Sequence, residues 1–235
     1  MKIEMIYEDE HIIALNKPAD VLTIPDRFDP TLPNLKDYLL SKHTEIFVVH
    51  RLDKETSGII LFAKSADAHK QLSEAFQGGE IEKYYWALTI KPYQDSGIIE
   101  ENIAESEKKG KYKVAKKGKY SLSEYQVLES YNKYALVQIR IHTGRTHQIR
   151  VHMKHNHSPL LVDSKYGAMD AFYLSQIKKY KRKKEVEERP LISRCSLHAR
   201  QLILTHPVTG ESLDLTAELP KDMRATINQL KKTYA

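Results

Sequence analysis

Apolar and polar residues alternate over 134–141, where Ala135, Val137, Ile139 and Ile141 share one face of an extended chain. With 121–129 before it, this segment predicts a hairpin. Residues 1–18 predict two short strands about an acidic turn, closed by Pro18. The branched, apolar runs 46–50 and 58–65 predict strands, as does 84–90. A second hairpin is predicted over 197–215, turning at Thr209-Gly210. A helical period governs 65–79, with Ala68, Leu72, Ala75 and Phe76 in one stripe, Ser65 as N-cap and Gly78-Gly79 as the stop. Further helices are predicted over 34–41, opened by Asn34, and over 220–235. Pro25, Pro30 and Pro33 make the stretch between them and the first strands a loop. Strands dominate, several pair as hairpins, and strict strand–helix–strand alternation is missing. The expected class is α+β with a mixed, mainly antiparallel sheet.

The 235 residues carry a formal charge of +6 and one cysteine, Cys195. That excludes a disulfide framework and fits a reducing cytoplasm. The N-terminus is acidic by Glu4 and has no apolar signal region, and no stretch has the length and apolarity of a membrane span. The basic balance favours a polyanion such as RNA or DNA. Two blocks concentrate the charge: seven lysines in 108–119 and six basic residues in 178–184. They read equally as solvated segments or as phosphate-backbone contacts through residues such as Lys113, Lys116, Lys181 and Arg182.

The segment RIHTGRTHQIRVH (140–152) repeats R-x-H at a period of five, which fits no regular element. Gly144 breaks the run. A strand is expected to end near Ile141, Thr143-Gly144-Arg145 to turn, and Thr146 to cap a helix from His147. His147 and His152 are then five apart, not the four that aligns two histidine ligands, and the arginines would repel a dication. A cationic turn before a helix start suits an anion better, either a phosphate or a protein carboxylate. One candidate carboxylate is Asp53 in HRLDKETSG (50–58), which from spacing alone reads as a turn aspartate.

HRLDKETSG followed by IILFAKS resembles the signature of the RluA-type family of RNA pseudouridine synthases. YEDEHIIALNKP (7–18), EKYYWAL (82–88), HTGRTHQIRVHM (142–153), VDSKYG (162–167) and LHARQLILTHPVTGE (197–211) are similar to further family motifs, in order. The resemblance implies an enzyme that breaks the uridine N1–C1′ bond, turns the base and rejoins it through C5, with no cofactor or metal. It implies that Asp53 is the catalytic aspartate, attacking C1′ or C6. Burial would raise its pKa, and a guanidinium would keep it anionic; Arg150 of THQIR is the arginine expected to pair with it. Tyr85 is expected to stack on the target base and to assist loss of the C5 proton, and Arg51 to help displace the nucleotide, since a stacked base hides both carbons. Arg145, His147 and Lys17 are expected at the RNA, with the lysine blocks.

The implied organisation is a single catalytic domain with a basic active-site cleft. Its family-like core spans about 7–220, with a basic insert at about 168–193, a C-terminal helix over 220–235 and no separate N-terminal RNA-binding domain. Asp20 and Val162 stand where glycine is usual in the family. The expected partner is structured RNA, ribosomal or transfer, with no membrane or protein partner and a monomeric chain. Two rivals are a non-catalytic RNA-binding module of the same fold and a metal-dependent RNA hydrolase built on the histidines of 142–157.

Overall fold

The structure is a computed structural model that describes residues 3–179 and 187–234; Lys181 and Arg182 lie outside the described residues. The elements run β1 (Glu4–Glu8), β2 (Ile12–Lys17), α1 (Leu35–Leu40), β3 (Phe47–Val48), β4 (Ser57–Ala63), α2 (Ala66–Gly78), β5 (Glu82–Ile90) and β6 (Ser96–Glu100). They continue β7 (Ile103–Glu105), β8 (Tyr112–Val114), β9 (Leu122–Tyr131), β10 (Tyr134–Ile141), α3 (Gln148–His155), β11 (Leu197–Thr205), β12 (Ser212–Thr216) and α4 (Lys221–Tyr234). The class is α+β, and strand pairing is mixed and mainly antiparallel. Among the described residues no helix is long and apolar enough to cross a membrane. The chain forms two compact units, Met1–Tyr85 with His198–Glu218, and Trp86–Leu197 with Leu219–Ala235.

In the first unit the strand order is β1-β2-β4-β11, with β3 on β4 and β12 on β11. β4 is buried along its whole length, which explains its unbroken apolar sequence. Leu35 and Leu39 of α1 and Ala68 and Leu72 of α2 complete this core. Both helices start where local chemistry predicts. The Asn34 side chain accepts from the Asp37 N–H at 2.9 Å, and Ser65 Oγ from the Ala68 N–H at 3.3 Å. Gly79, left-handed at φ 77°, ends α2.

In the second unit the order is β5-β10-β9-β6. Met223, Ile227 and Leu230 of α4 pack with Tyr131, Tyr134, Leu136 and Phe172. β6, β7 and β8 were not expected, and part of the first lysine block is strand rather than loop. In β8 the alternation is short: Tyr112 and Val114 pack toward Val151 and Tyr166, while Lys113 between them is exposed. The helix expected from His147 starts instead at Gln148 and has no side-chain cap. His147 is left-handed at φ 55°. The Gln148 amide instead braces the turn before the helix, its oxygen accepting from Thr143 Oγ1 at 2.8 Å and the Arg145 N–H at 3.0 Å.

Two features of the first unit set the geometry before Asp53. His50 stacks on Phe76 with ring centroids 4.6 Å apart, and its Nε2 accepts from the Leu61 N–H at 3.0 Å. Nε2 is therefore unprotonated in this arrangement. Gly58 pairs with Ala199 in the parallel β4–β11 ladder at φ 117°, and a Cβ there would lie 2.2 Å from the Ala199 carbonyl oxygen. Only glycine fits that φ and that approach. Next to it, His198 Nδ1 lies 3.0 Å from Ser57 Oγ, and Nε2 lies 3.2 Å from the Ala217 carbonyl.

Gly58→Ala is expected to cost more than about 2 kcal/mol, read from the denaturant midpoint, because backbone must move on both strands. An unchanged midpoint would show that the strands do not approach this closely. A pH dependence follows from His50. Burial first, and the Lys83 ammonium second, hold its pKa at about 3. The unfolded chain takes up a proton below about pH 6.5 that the folded chain refuses until about pH 3. Stability should therefore fall as pH drops through that window and be insensitive to this group above it. His50→Gln keeps an acceptor for the Leu61 N–H and should flatten this limb. Equal slopes in both proteins would assign the acid sensitivity to other groups.

Candidate active site

Asp53 follows His50-Arg51-Leu52 and precedes the turn into β4, and it is half-buried. Its backbone is held from several directions. The Asp53 carbonyl accepts from the Thr56 N–H at 3.1 Å. Leu52 bonds Thr23 Oγ1 through both its N–H and its carbonyl, each at 3.3 Å. The Lys54 carbonyl accepts from the Asp20 N–H at 2.8 Å and from Lys17 Nζ at 2.9 Å.

Lys17 corrects a sequence expectation. It is 0% exposed, so it is not a surface cation awaiting RNA. Its ammonium also donates to the carbonyls of Val21 at 2.7 Å and Pro18 at 3.1 Å. An ammonium has three N–H groups, and these carbonyls meet the demand that makes buried lysine rare. Asp20 lies within this clamp at φ 64°, the left-handed conformation for which glycine is usual and which a short polar residue tolerates. That conformation accounts for the usual glycine and for the tolerance of an aspartate in its place.

Tyr85 is half-buried against the core of the first unit. Burial, and then the Asp53 carboxylate, push its phenol up from the ordinary value, so it keeps its proton at neutral pH. Two positions earlier, Lys83 is buried with its ammonium 5.8 Å from the Phe76 ring centroid. Burial pulls the Lys83 pKa down. Arg51, beside Asp53, is exposed. The first unit therefore brings Asp53 and Tyr85 close enough for electrostatic influence, on a backbone fixed by buried donors.

In the second unit Arg150 is 1% exposed on α3 and holds Asp163 in a fork, Nε to Oδ2 and Nη2 to Oδ1, each at 2.7 Å. Asp163 also accepts from the N–H groups of Lys165 at 2.8 Å and Tyr166 at 3.2 Å. Desolvation raises its pKa, but the Arg150 bonds and charge with these backbone donors outweigh it, and the net direction is down. The Arg150 guanidinium stands 5.3 Å from the Tyr166 ring centroid. Asp163 was not singled out from sequence as a partner of Arg150. Its position in VDSKYG was the available signal, but nothing local links it to a residue 13 positions earlier.

The three R-x-H pairs occupy different settings. His142 follows β10 and faces Glu124 at 2.9 Å. Arg145 is an exposed turn residue whose Nε donates to the Tyr120 carbonyl at 3.0 Å. His147 Nδ1 lies 2.8 Å from the Tyr166 hydroxyl, and its ring meets Tyr112 and Tyr166 edge to face. His152 is buried on α3, its ring nitrogens 3.0 Å from Ser123 Oγ and 3.1 Å from the Glu101 carbonyl. Among the described residues no three His, Cys, Asp or Glu side chains gather as a metal-holding group. Lys113 and Lys116 are both exposed, and Lys113 is 3.9 Å from Glu107.

Comparison with known proteins points to one chemistry for the chain. The family model described as RNA pseudouridylate synthase matches residues 11–155, a span that includes Asp53, Tyr85 and Arg150. The ribosomal large subunit pseudouridine synthase D of Vibrio cholerae is 35% identical over 229 residues, covering 95% of this chain and 69% of the relative. The protein of the same name from Haemophilus influenzae is 34% identical over 245 residues, covering 99% and 72%. The solved structure of human RNA pseudouridylate synthase domain containing 4 superposes with a TM-score of 0.74 at 26% identity, covering 97% of this chain and 93% of that one. The aspartate loop, the aromatic beside it and the THQIR arginine thus fall within a match that runs through most of the chain, and the chain belongs to the RluA-type family of RNA pseudouridine synthases, enzymes that isomerise uridine in RNA to pseudouridine.

Proposed function

We propose that Asp53 is the catalytic carboxylate of this isomerisation and that the substrate is ribosomal RNA of the large subunit. The observation that carries the first part is geometric: a half-buried carboxylate on a loop whose backbone is pinned by Lys17 and Thr23. The names of the two bacterial relatives support the second, since both are ribosomal large subunit pseudouridine synthases. The cytoplasm is the proposed setting, consistent with the lone Cys195 and an RNA substrate. The two units act in this reading as one catalytic domain, with the active site in a basic cleft.

The steps follow from what each group can do. The target uridine leaves the stack, because C1′ and C6 are shielded within it, and exposed Arg51 is suited to take the vacated place. Asp53 attacks C1′, releasing N1, or adds to C6. In either route the N1–C1′ bond breaks, the base turns and C5 bonds to C1′; the bond from Asp53 to carbon breaks again, the C5 proton leaves and N1 takes up a proton. Arg150 is the proposed guanidinium partner of Asp53. Its Nε and Nη2 hold Asp163, a fork that fixes the plane of the guanidinium. Tyr85 offers a ring face for the base. Its raised pKa makes a neutral phenol, so a phenolate base for the C5 proton is not part of the proposal. Arg145, His147, Lys113 and Lys116 are proposed RNA contacts, with Arg145 and the lysines acting on phosphates.

The test is tritium release from ribosomal RNA labelled at uridine C5. Wild type should release tritium, and Asp53→Asn should reduce the rate to background. Equal release from both would remove Asp53 from the chemistry. Arg150→Lys should lower turnover by about tenfold or more even where the fold survives, because lysine lacks the fork. Unchanged turnover would assign the wrong arginine.

A further inference from the structure

We propose that the concave patch between the β6–β7 and β8–β9 connections seats one unpaired guanine of the substrate RNA, a nucleotide other than the target uridine. The inference uses only the second unit and rests on the substrate being RNA. The cavity is about 600 Å³, with Tyr120 on one side, Val114 and Ala115 as apolar surface, and Glu101, Asn102 and Lys116 as polar surface.

Tyr120 has the properties of a stacking platform. It is 50% exposed, yet it is tied at both ends: its hydroxyl donates to Glu100 at 3.1 Å, and its carbonyl accepts from Arg145 Nε at 3.0 Å. A large aromatic held this way loses little freedom when a base stacks on it. The polar groups are also set in advance. The Glu101 backbone donates to the Ser121 carbonyl at 3.1 Å and accepts from buried His152 Nε2 at 3.1 Å. The Asn102 amide donates to the Lys116 carbonyl at 3.2 Å.

The charge of the patch selects the base. A carboxylate accepts hydrogen bonds and donates none, so Glu101 repels phosphate and carbonyl oxygen but welcomes adjacent N–H groups. Guanine alone among the four bases presents two neighbouring donors, N1–H and N2–H, to the two oxygens of one carboxylate. Adenine and cytosine offer only an exocyclic amine on that edge, and uracil flanks its single N–H with carbonyls. Glu100 is already engaged by Tyr120, which leaves Glu101 to read this edge; His155 Nε2 lies 3.8 Å from Glu101 Oε1, a half-exposed pair that is within ion-pair reach but beyond hydrogen-bond distance. Lys116 and Lys117 are exposed in the same connection and supply cations for the attached phosphates. Single-stranded RNA is commonly read in this way, by aromatic stacking with hydrogen bonds to a Watson–Crick edge.

The test is a titration of the isotope-labelled full chain with guanosine monophosphate into the millimolar range, followed by the amide signals of Asn102, Ala115 and Tyr120. These signals should shift. Inosine monophosphate, which lacks the N2 amine, should bind at least about fivefold more weakly, and the adenosine, cytidine and uridine monophosphates more weakly again. Tyr120→Phe keeps the ring and should retain binding, whereas Tyr120→Ala should lose it. Glu101→Gln leaves the backbone contacts in place and should remove the preference for guanosine over adenosine. On ribosomal RNA the same variant should raise KM and leave kcat unchanged. No shift at these three residues would overturn the proposal, as would equal affinity for all nucleotides or a guanosine preference that survives Glu101→Gln.

Discussion

A buried ammonium holds the loop on which the chemistry is proposed to occur. Lys17 donates to the carbonyls of Pro18, Val21 and Lys54, joining the end of β2 to the residue after Asp53. Isolating a charge from water is expensive, and it is tolerated here because backbone carbonyls replace the lost hydration. Removing the ammonium would leave the buried Val21 carbonyl without this donor, while the Lys54 carbonyl would keep only the Asp20 N–H. The Asp20 and Thr23 contacts reach the same loop from the same side of the sequence. A carboxylate that must meet one carbon atom of a displaced nucleotide needs a backbone that does not wander. This clamp supplies it at the cost of a left-handed aspartate.

The second unit uses the opposite arrangement, a buried guanidinium held by a carboxylate. Asp163 neutralises Arg150, and its other contacts are backbone N–H groups, so the fork is part of the fold and not an incidental surface pair. Truncating Asp163 would strand a buried charge, the costliest way to break such a pair. Tyr166 links this fork to its surroundings, with its ring near Arg150 and its hydroxyl bonded to His147 and to the Tyr112 N–H of the β7–β8 hairpin. His147, Tyr166 and the hairpin therefore form a connected support for α3.

What the sequence made legible was local. Asn34 and Ser65 announced their helices because capping involves residues three apart. The β9–β10 and β11–β12 hairpins were visible because alternation and turn residues lie in one short window. Asp53, Tyr85 and Arg150 came from the resemblance; spacing alone left Asp53 a turn residue. What stayed hidden depends on distant partners. Lys17 read as a cation for RNA because its role is defined by a carbonyl 37 residues away. The start of α3 shifted by one residue because Gln148 bonds Leu122 and Ser123, which belong to another strand. β8 was obscured because its outward lysine and its neighbours look like a charged loop until Tyr112 and Val114 find Val151 and Tyr166.

Lys17 is buried where it holds the loop and not where it would meet RNA, and Lys17→Met separates the two roles directly. The measurement is RNA affinity and its salt dependence, alongside turnover at saturating RNA, in a variant whose folded fraction is verified. Turnover should fall strongly with affinity and salt slope unchanged, because no phosphate contact is lost. Weakened RNA binding with a shallower salt slope and intact turnover would contradict the loop-holding role.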